Sequence, residues 1–376
     1  MNLFRKLANR TTPIDETALH YIWLSLACGF ASASARELIS AYHGAGAVYA
    51  QEDFSDRAGL SDALRKRLLE KDLTDAREIY KACREKDVGI LTYESDLYPS
   101  RLRTLTNPPA VLYYRGRITN LDCEPCVAVV GTRSVSRYGE EVTDWFGYEL
   151  AKSGAFVVSG LAKGADGIAH RAALRAGGST VAVLGTAIDR VYPVQNEGLF
   201  SEIESKGLIL SEYYPGCTTS GASFPERNRI ISGISLCTVV TEAGMTSGAL
   251  ITARSAIAQN RDVYAVPGSI FVPGSDGTNH LIRGGVECVT CPARYSKNTP
   301  RITRPDCASH RARMRMSAAL RARNARRRCP RVRRPLLRRP TACRQAKSGS
   351  TTASPPQPTV WCWMKSQPRS SCRLHR

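Results

Sequence analysis

Between residues 89 and 266 short, wholly apolar runs alternate with longer stretches of helical periodicity, and this alternation restricts the fold more than any other feature. The strand-like runs are 89–93, 110–114, 127–130, 156–158, 180–184, 208–210, 238–240 and 262–266. Helical patterns fill 139–152, 167–176, 196–206 and 248–259. A strand with no polar alternation must be covered on both faces, and strands separated by helices pair in parallel. The pattern predicts an α/β fold with a Rossmann-like parallel sheet core. In such sheets ligands bind where strands give way to helices at their carboxyl ends.

The loops at those ends are unusual. The first reads Gly131-Thr132-Arg133-Ser134-Val135-Ser136-Arg137. A glycine leaves the strand, small hydroxyls follow, and backbone N–H groups at the coming helix start can hold an anion. Arg133 and Arg137 add charge there, although Arg133 also reads as a surface residue capping the turn. The second loop, Ser159–Gly167, carries three glycines, with Lys163 and Gly164 toward the same crevice and Asp166 at the expected helix N-cap. His170 follows among alanines and reads as a packed side chain. A third loop brings Arg190, Tyr192 and Asn196, and a fourth segment, Phe224-Pro225-Glu226-Arg227-Asn228-Arg229, opens a helix. Arginine, asparagine and aromatic side chains together suit a single strand whose phosphates meet Arg and whose bases stack on rings. Salt-bridged structural roles stand beside that reading for Arg227 and Arg229, which cannot share one helix face. Neither G-x-G-x-x-G nor G-x-x-x-x-G-K-[ST] occurs, so a phosphodiester or small anion is expected, and no cofactor. Neither a Ser-His-Asp nor a Cys-His set can be assembled.

Four segments in order, G-T-R-S-x-S-x-Y-G, S-G-L-A-K-G-A-D, G-T-A-I-D-R-V-Y-P-V-Q-N and F-P-E-R-N-R-I-I-S-G, closely resemble the signature of the DprA/Smf DNA-processing family. T-S-G-A-L-I-T-A-R at 246–254, V-Y-A-V-P-G-S at 263–269 and G-T-N-H-L-I-R-G-G at 277–285 extend the resemblance from about Leu97 to Val289. It implies a non-catalytic protein of the cytoplasm that binds single-stranded DNA cooperatively as a homodimer. Such proteins protect the incoming strand in natural transformation and help load the RecA recombinase onto it. The implied contacts are Gly131, Thr132, Arg133, Ser134, Arg137, Lys163, Gly164, Arg190, Tyr192, Asn196, Phe224, Arg227, Asn228 and Arg229. Two departures stand out: Val194 occupies a position that is often Lys or Arg, and Ala165 replaces the usual Ile. The alternative is an enzyme, since nucleoside-monophosphate phosphoribohydrolases of the LOG group share the architecture. They carry P-G-G-x-G-T-x-x-E, whereas Thr241–Gly248 lacks the tandem glycines and the following Glu, leaving Glu242 as a remnant acid.

Three domains are expected: a helical, SAM-like or helix-hairpin module at 1–82, the Rossmann-like domain at 83–290, and a tail at 291–376. The net charge of +20 belongs to the tail, whose 20 arginines, three lysines and one acid sum to +22 and leave the body at −2. Ten of the 20 prolines and six of the 13 cysteines also lie in the tail. That composition fits either a disordered basic arm or a segment read out of frame, in place of a winged-helix-like domain. Nucleic-acid binding through the tail alone is a further reading. Cys123 and Cys126 form a C-x-x-C without a second pair, so neither metal nor redox use is expected. No run of about 18 apolar residues appears, and Met1–Arg10 lacks a secretory core, so no membrane association is expected.

Overall fold

The computed structural model describes residues 15–57, 59–292, 294–296 and 299–303. Five helices come first: α1 (Glu16–Cys28), α2 (Ala33–Tyr42), α3 (Ala45–Ala50), α4 (Asp62–Glu70) and α5 (Thr74–Glu85). Asp15, Ser32 and Ser61 cap three of them, each side-chain oxygen accepting a first-turn N–H. The sheet domain follows as β1 (Gly89–Thr92), α6 (Ser100–Arg103), β2 (Val111–Gly116), β3 (Cys126–Val130), α7 (Arg137–Lys152), β4 (Phe156–Ser159), α8 (Ala165–Arg175), β5 (Thr180–Leu184), α9 (Glu197–Lys206) and β6 (Leu208–Ser211). It continues through α10 (Ser223–Ile234), β7 (Cys237–Val240), α11 (Ala249–Ala258), β8 (Asp262–Ala265), α12 (Asp276–Arg283) and β9 (Glu287–Cys288).

The nine strands lie in the order β1-β2-β6-β5-β4-β3-β7-β8-β9. All neighbours are parallel except at β2, which runs antiparallel to both β1 and β6. The wholly apolar strands are buried along their full length, as β3, β5, β6 and β7 show. Their alternate side chains feed opposite cores. Val127 and Val129 pack with Phe146 and Leu150 of α7. Ala128 and Val130 pack with Ile230, Ile231 and Ala253 of α10 and α11. β2 departs from the expected parallel order: the 93–110 link, with the one-turn α6, returns the chain in antiparallel pairing with β1.

The N-terminal helices do not stand apart from the sheet. Leu24, Leu38 and Ile79 belong to one buried cluster with Val111, Tyr113, Ile209 and Phe200. The expected boundary at 82/83 falls inside α5. Just past 290, β10 (Arg294–Ser296) and β11 (Thr299–Thr303) pair as an antiparallel hairpin where the sequence pattern suggested no strand. The rest of the expected tail, from residue 304, lies outside the described residues.

After β3 the chain winds outward through β4, β5 and β6, then crosses back to lay β7 on the other side of β3. This reversal is a topological switch point. The crevice it opens at the carboxyl ends of β3 and β7 is where the chemistry is to be sought.

Candidate nucleic-acid interface

The β3–α7 loop is held by backbone contacts on both sides, which leaves its side chains free to face outward. Thr132 donates its N–H to the Glu242 carbonyl at 2.8 Å, and its own carbonyl accepts from Ala165 at 3.2 Å. Gly131 is required by proximity, since a Cβ there would meet Ala165 Cβ at 2.7 Å and Thr241 Oγ1 at 2.9 Å. Ser136 caps α7 by accepting from the Gly139 N–H at 3.1 Å. Its own N–H goes to the buried Glu242 carboxylate at 2.9 Å. Glu242 is thereby committed to the start of α7 and is not part of the crevice wall.

The β4–α8 loop is pressed against the first. Gly164 has φ +83°, and a Cβ there would lie 2.5 Å from the Thr132 carbonyl oxygen and 2.6 Å from that of Arg133. Asp166 is not the N-cap that the sequence suggested. Gly164 takes that position, because the chain enters α8 from a left-handed turn. Asp166 instead sits in the first turn, where its carboxylate accepts the N–H groups of Gly160 (3.2 Å) and Ala162 (3.4 Å). Burial raises its pKa against the pull of Arg227.

Between these loops, α10 and the β7–α11 loop lies an open cleft of about 470 Å³. Gly131–Ser134, Phe224, Arg227, Asn228 and Thr246–Gly248 contribute to its wall. Arg227 forms its floor. It is 4% exposed, and its Nη1 donates to the carbonyls of Gly160, at 2.7 Å, just past β4, and of Val183, near the end of β5. Its Nε donates to Asn228 Oδ1 at 3.1 Å. Burial lowers its pKa to about 10, so the guanidinium remains charged at neutral pH. At the mouth, the exposed Arg133 guanidinium lies 5.6 Å from the Phe224 ring centroid. Tyr192, also exposed, places its ring 5.3 Å from that of Phe224, tilted by 50°, but is not itself part of the wall. A cation, the Phe224 ring and a loop of small residues thus meet at one opening, with Tyr192 beside Phe224.

Other expected contacts fall elsewhere. Arg229 is turned away from the cleft, since α10 rotates it about 200° from Arg227. Both its Nη2 contacts, at 2.7 Å, are to the Glu212 carboxylate. Asn196 is buried, its amide donating to the carbonyls of Leu161 (2.9 Å) and Ala162 (3.2 Å), so it braces the β4–α8 loop. Arg137 projects from α7 and pairs with Glu141 at 3.4 Å, outside the wall. Lys163 is exposed on its loop but is not part of the wall either. Arg190 borders a separate, shallower depression with Asp189, Val194 and Cys217. Thr246, Ser247 and Thr252 line the cleft and were missed as site residues. Their signal was visible, because a small hydroxyl-and-glycine run follows β7 as one follows β3. Among the described residues no cluster of three or more His, Cys, Asp or Glu could hold a metal ion.

Fold and site together define an α/β protein with a cleft at a sheet switch point whose wall carries two arginines and an aromatic ring. The sequence profile of the DNA recombination-mediator protein A family matches residues 89–299. The chain belongs to that family, one of DNA processing and recombination. It is 44% identical to Protein Smf of Synechocystis over 208 residues, 54% of this chain and 52% of that protein. It is 45% identical to DNA processing protein DprA of Streptococcus pneumoniae over 199 residues, 52% of this chain and 68% of that protein. The chain thus spans about half the length of the Synechocystis relative. The crystal structure of the Streptococcus pneumoniae protein aligns with a TM-score of 0.62 at 34% identity, covering 74% of this chain and 96% of that one.

Proposed function

We propose that the cleft binds single-stranded DNA. The protein then protects an incoming strand during natural transformation and helps load RecA onto it, acting in the cytoplasm as a homodimer and without a chemical step. The observation that carries this reading is the Arg133–Phe224–Tyr192 arrangement above the buried Arg227. A phosphate meets the Arg133 guanidinium while neighbouring bases stack on the two rings. Stacking on an aromatic side chain contributes about 1–3 kcal/mol per base and tolerates any sequence, which suits a strand of arbitrary composition. In the same reading residues 83–290 form the DNA-binding body and 1–82 an accessory helical part built onto it. The phosphoribohydrolase alternative finds less support, because Glu242 and Asp166 both spend their carboxylates on backbone N–H groups.

Fluorescence anisotropy with a labelled oligo-dT tests the assignment. Arg133→Ala is expected to weaken binding by about tenfold or more, the scale of one lost charge-assisted contact. Unchanged affinity would remove the cleft from consideration.

A further inference from the structure

The two rings beside the cleft sit in chain stretches that the N-terminal helices reach. Tyr192 lies between β5 and α9, and Phe224 stands at the start of α10, after the stretch that leaves β6. Asp189 joins the two stretches. Its Oδ1 accepts the Gly216 N–H at 2.9 Å, and its Oδ2 accepts from Lys86 Nζ at 2.5 Å. Lys86 is the C-cap of α5, so the second bond leads straight into the helical part. The Asp189 side chain is 18% exposed, which shields the pair from much of the solvent's screening. Phe30, between α1 and α2, packs edge-on against Tyr213 with ring centroids 4.7 Å apart. The Tyr213 carbonyl in turn accepts the Ile188 N–H at 3.1 Å.

Val191, next to Tyr192, packs against the buried cluster that holds Leu24, Leu38 and Ile79. On its other side Tyr192 is followed by Asn196, whose amide is fixed to the β4–α8 loop. The Tyr192 ring itself is 48% exposed, and the backbone on either side therefore sets where it points. One side of that frame comes from the helices. We propose that the N-terminal helices take part in strand binding without touching the strand. Lys86, Asp189 and Phe30 act as positioning residues that hold Tyr192 beside Phe224 for base stacking. A ring fixed before the strand arrives keeps the stacking free energy that ordering a loose loop would offset. This proposal rests on the single-strand reading of the cleft.

Charge gives the test its sign. Removing a carboxylate near a bound polyanion raises affinity by electrostatics alone. As a positioning residue Asp189 acts the other way, so Asp189→Ala in the full chain is expected to weaken oligo-dT binding about fivefold. Lys86→Met, at a half-exposed side chain that keeps the test open should Asp189→Ala misfold, is expected to weaken it about threefold and leave the salt slope unchanged. Lys86→Arg restores native binding. In Tyr192→Ala, itself about tenfold weaker, adding Asp189→Ala costs nothing further. Hydrogen exchange without DNA is expected to rise across 186–193 in Asp189→Ala and Lys86→Met and to stay native in β3 and α7. Unchanged or tighter binding in Asp189→Ala, a lowered salt slope in Lys86→Met, additive losses with Tyr192→Ala, or native exchange across 186–193 would each overturn the proposal. If Tyr192→Ala binds normally while Arg133→Ala does not, the proposal falls and the cleft reading stands. If Arg133→Ala also binds normally, the cleft reading itself fails.

Discussion

Gly164 and His170 illustrate how single residues hold the candidate site. At Gly164 the left-handed backbone and the two carbonyls within 2.6 Å of a would-be Cβ both exclude a side chain. Gly164→Ala is expected to cost about 1–3 kcal/mol, the range of a strained backbone position. The loss would show as a lower urea midpoint together with weaker oligo-dT binding, since the β3–α7 and β4–α8 loops must part. His170 is fully buried, with Nδ1 2.7 Å from Thr180 Oγ1. That hydroxyl spends its one hydrogen on the Val157 carbonyl at 2.6 Å, so His170 must donate from Nδ1 and leave Nε2 bare. Burial, helped by Arg227 and Arg171, lowers its pKa to about 3. The unfolded chain takes up the proton near pH 6.5 and the folded chain does not. Stability therefore falls as pH drops from about 6.5 toward 3, by up to about 1.4 kcal/mol per pH unit from this group. Denaturation curves across that range should show a shallower pH slope in His170→Gln; an identical slope would mean that the side chain titrates normally in the fold.

At the scale of an element, α10 carries opposite chemistry on opposite sides. Arg227 ties the carbonyl ends of β4 and β5 beneath the cleft. Arg229 makes a buried ion pair with Glu212, which also accepts the Ala31 N–H at 3.1 Å and so fastens the α1–α2 loop. Removing one partner strands a buried charge, so Glu212→Ala is expected to lose about 3–5 kcal/mol in chemical denaturation. Glu212→Leu combined with Arg229→Met should lose clearly less, because no charge remains uncompensated; equal losses would contradict the ion-pair account. The sequence showed that residues two apart on a helix face different ways. It left open which arginine met the cleft, because the answer depends on Glu212, 17 residues away and placed by β6.

For the whole molecule, charge and binding separate. The +22 of residues 291–376 dominates the net charge, while the candidate cleft belongs to a body of −2. Among the described residues no helix is long and apolar enough to cross a membrane. A chain ending after Thr303 is expected to keep its affinity for oligo-dT at low salt. Its log affinity should fall against log salt with a slope of about −2, as contacts to three phosphates of a single strand would give. Loss of binding on this truncation would assign it to the tail.

The apolar runs located β1 to β8, and the helical stretches α7, α8, α9 and α11, to within about two residues, since burial on both faces leaves no polar alternation to misread; α12 and β9 to β11 carried no such signal. Glycine-rich turns at strand ends marked where the cleft would open. Only the tertiary structure decided that β2 runs against its neighbours and that the N-terminal helices share the sheet's core. It alone turned Asn196 and Arg229 into internal braces and brought Thr246 and Ser247 beside Arg133. These outcomes rest on which distant backbone groups come within hydrogen-bonding reach, and local pattern carries no record of that.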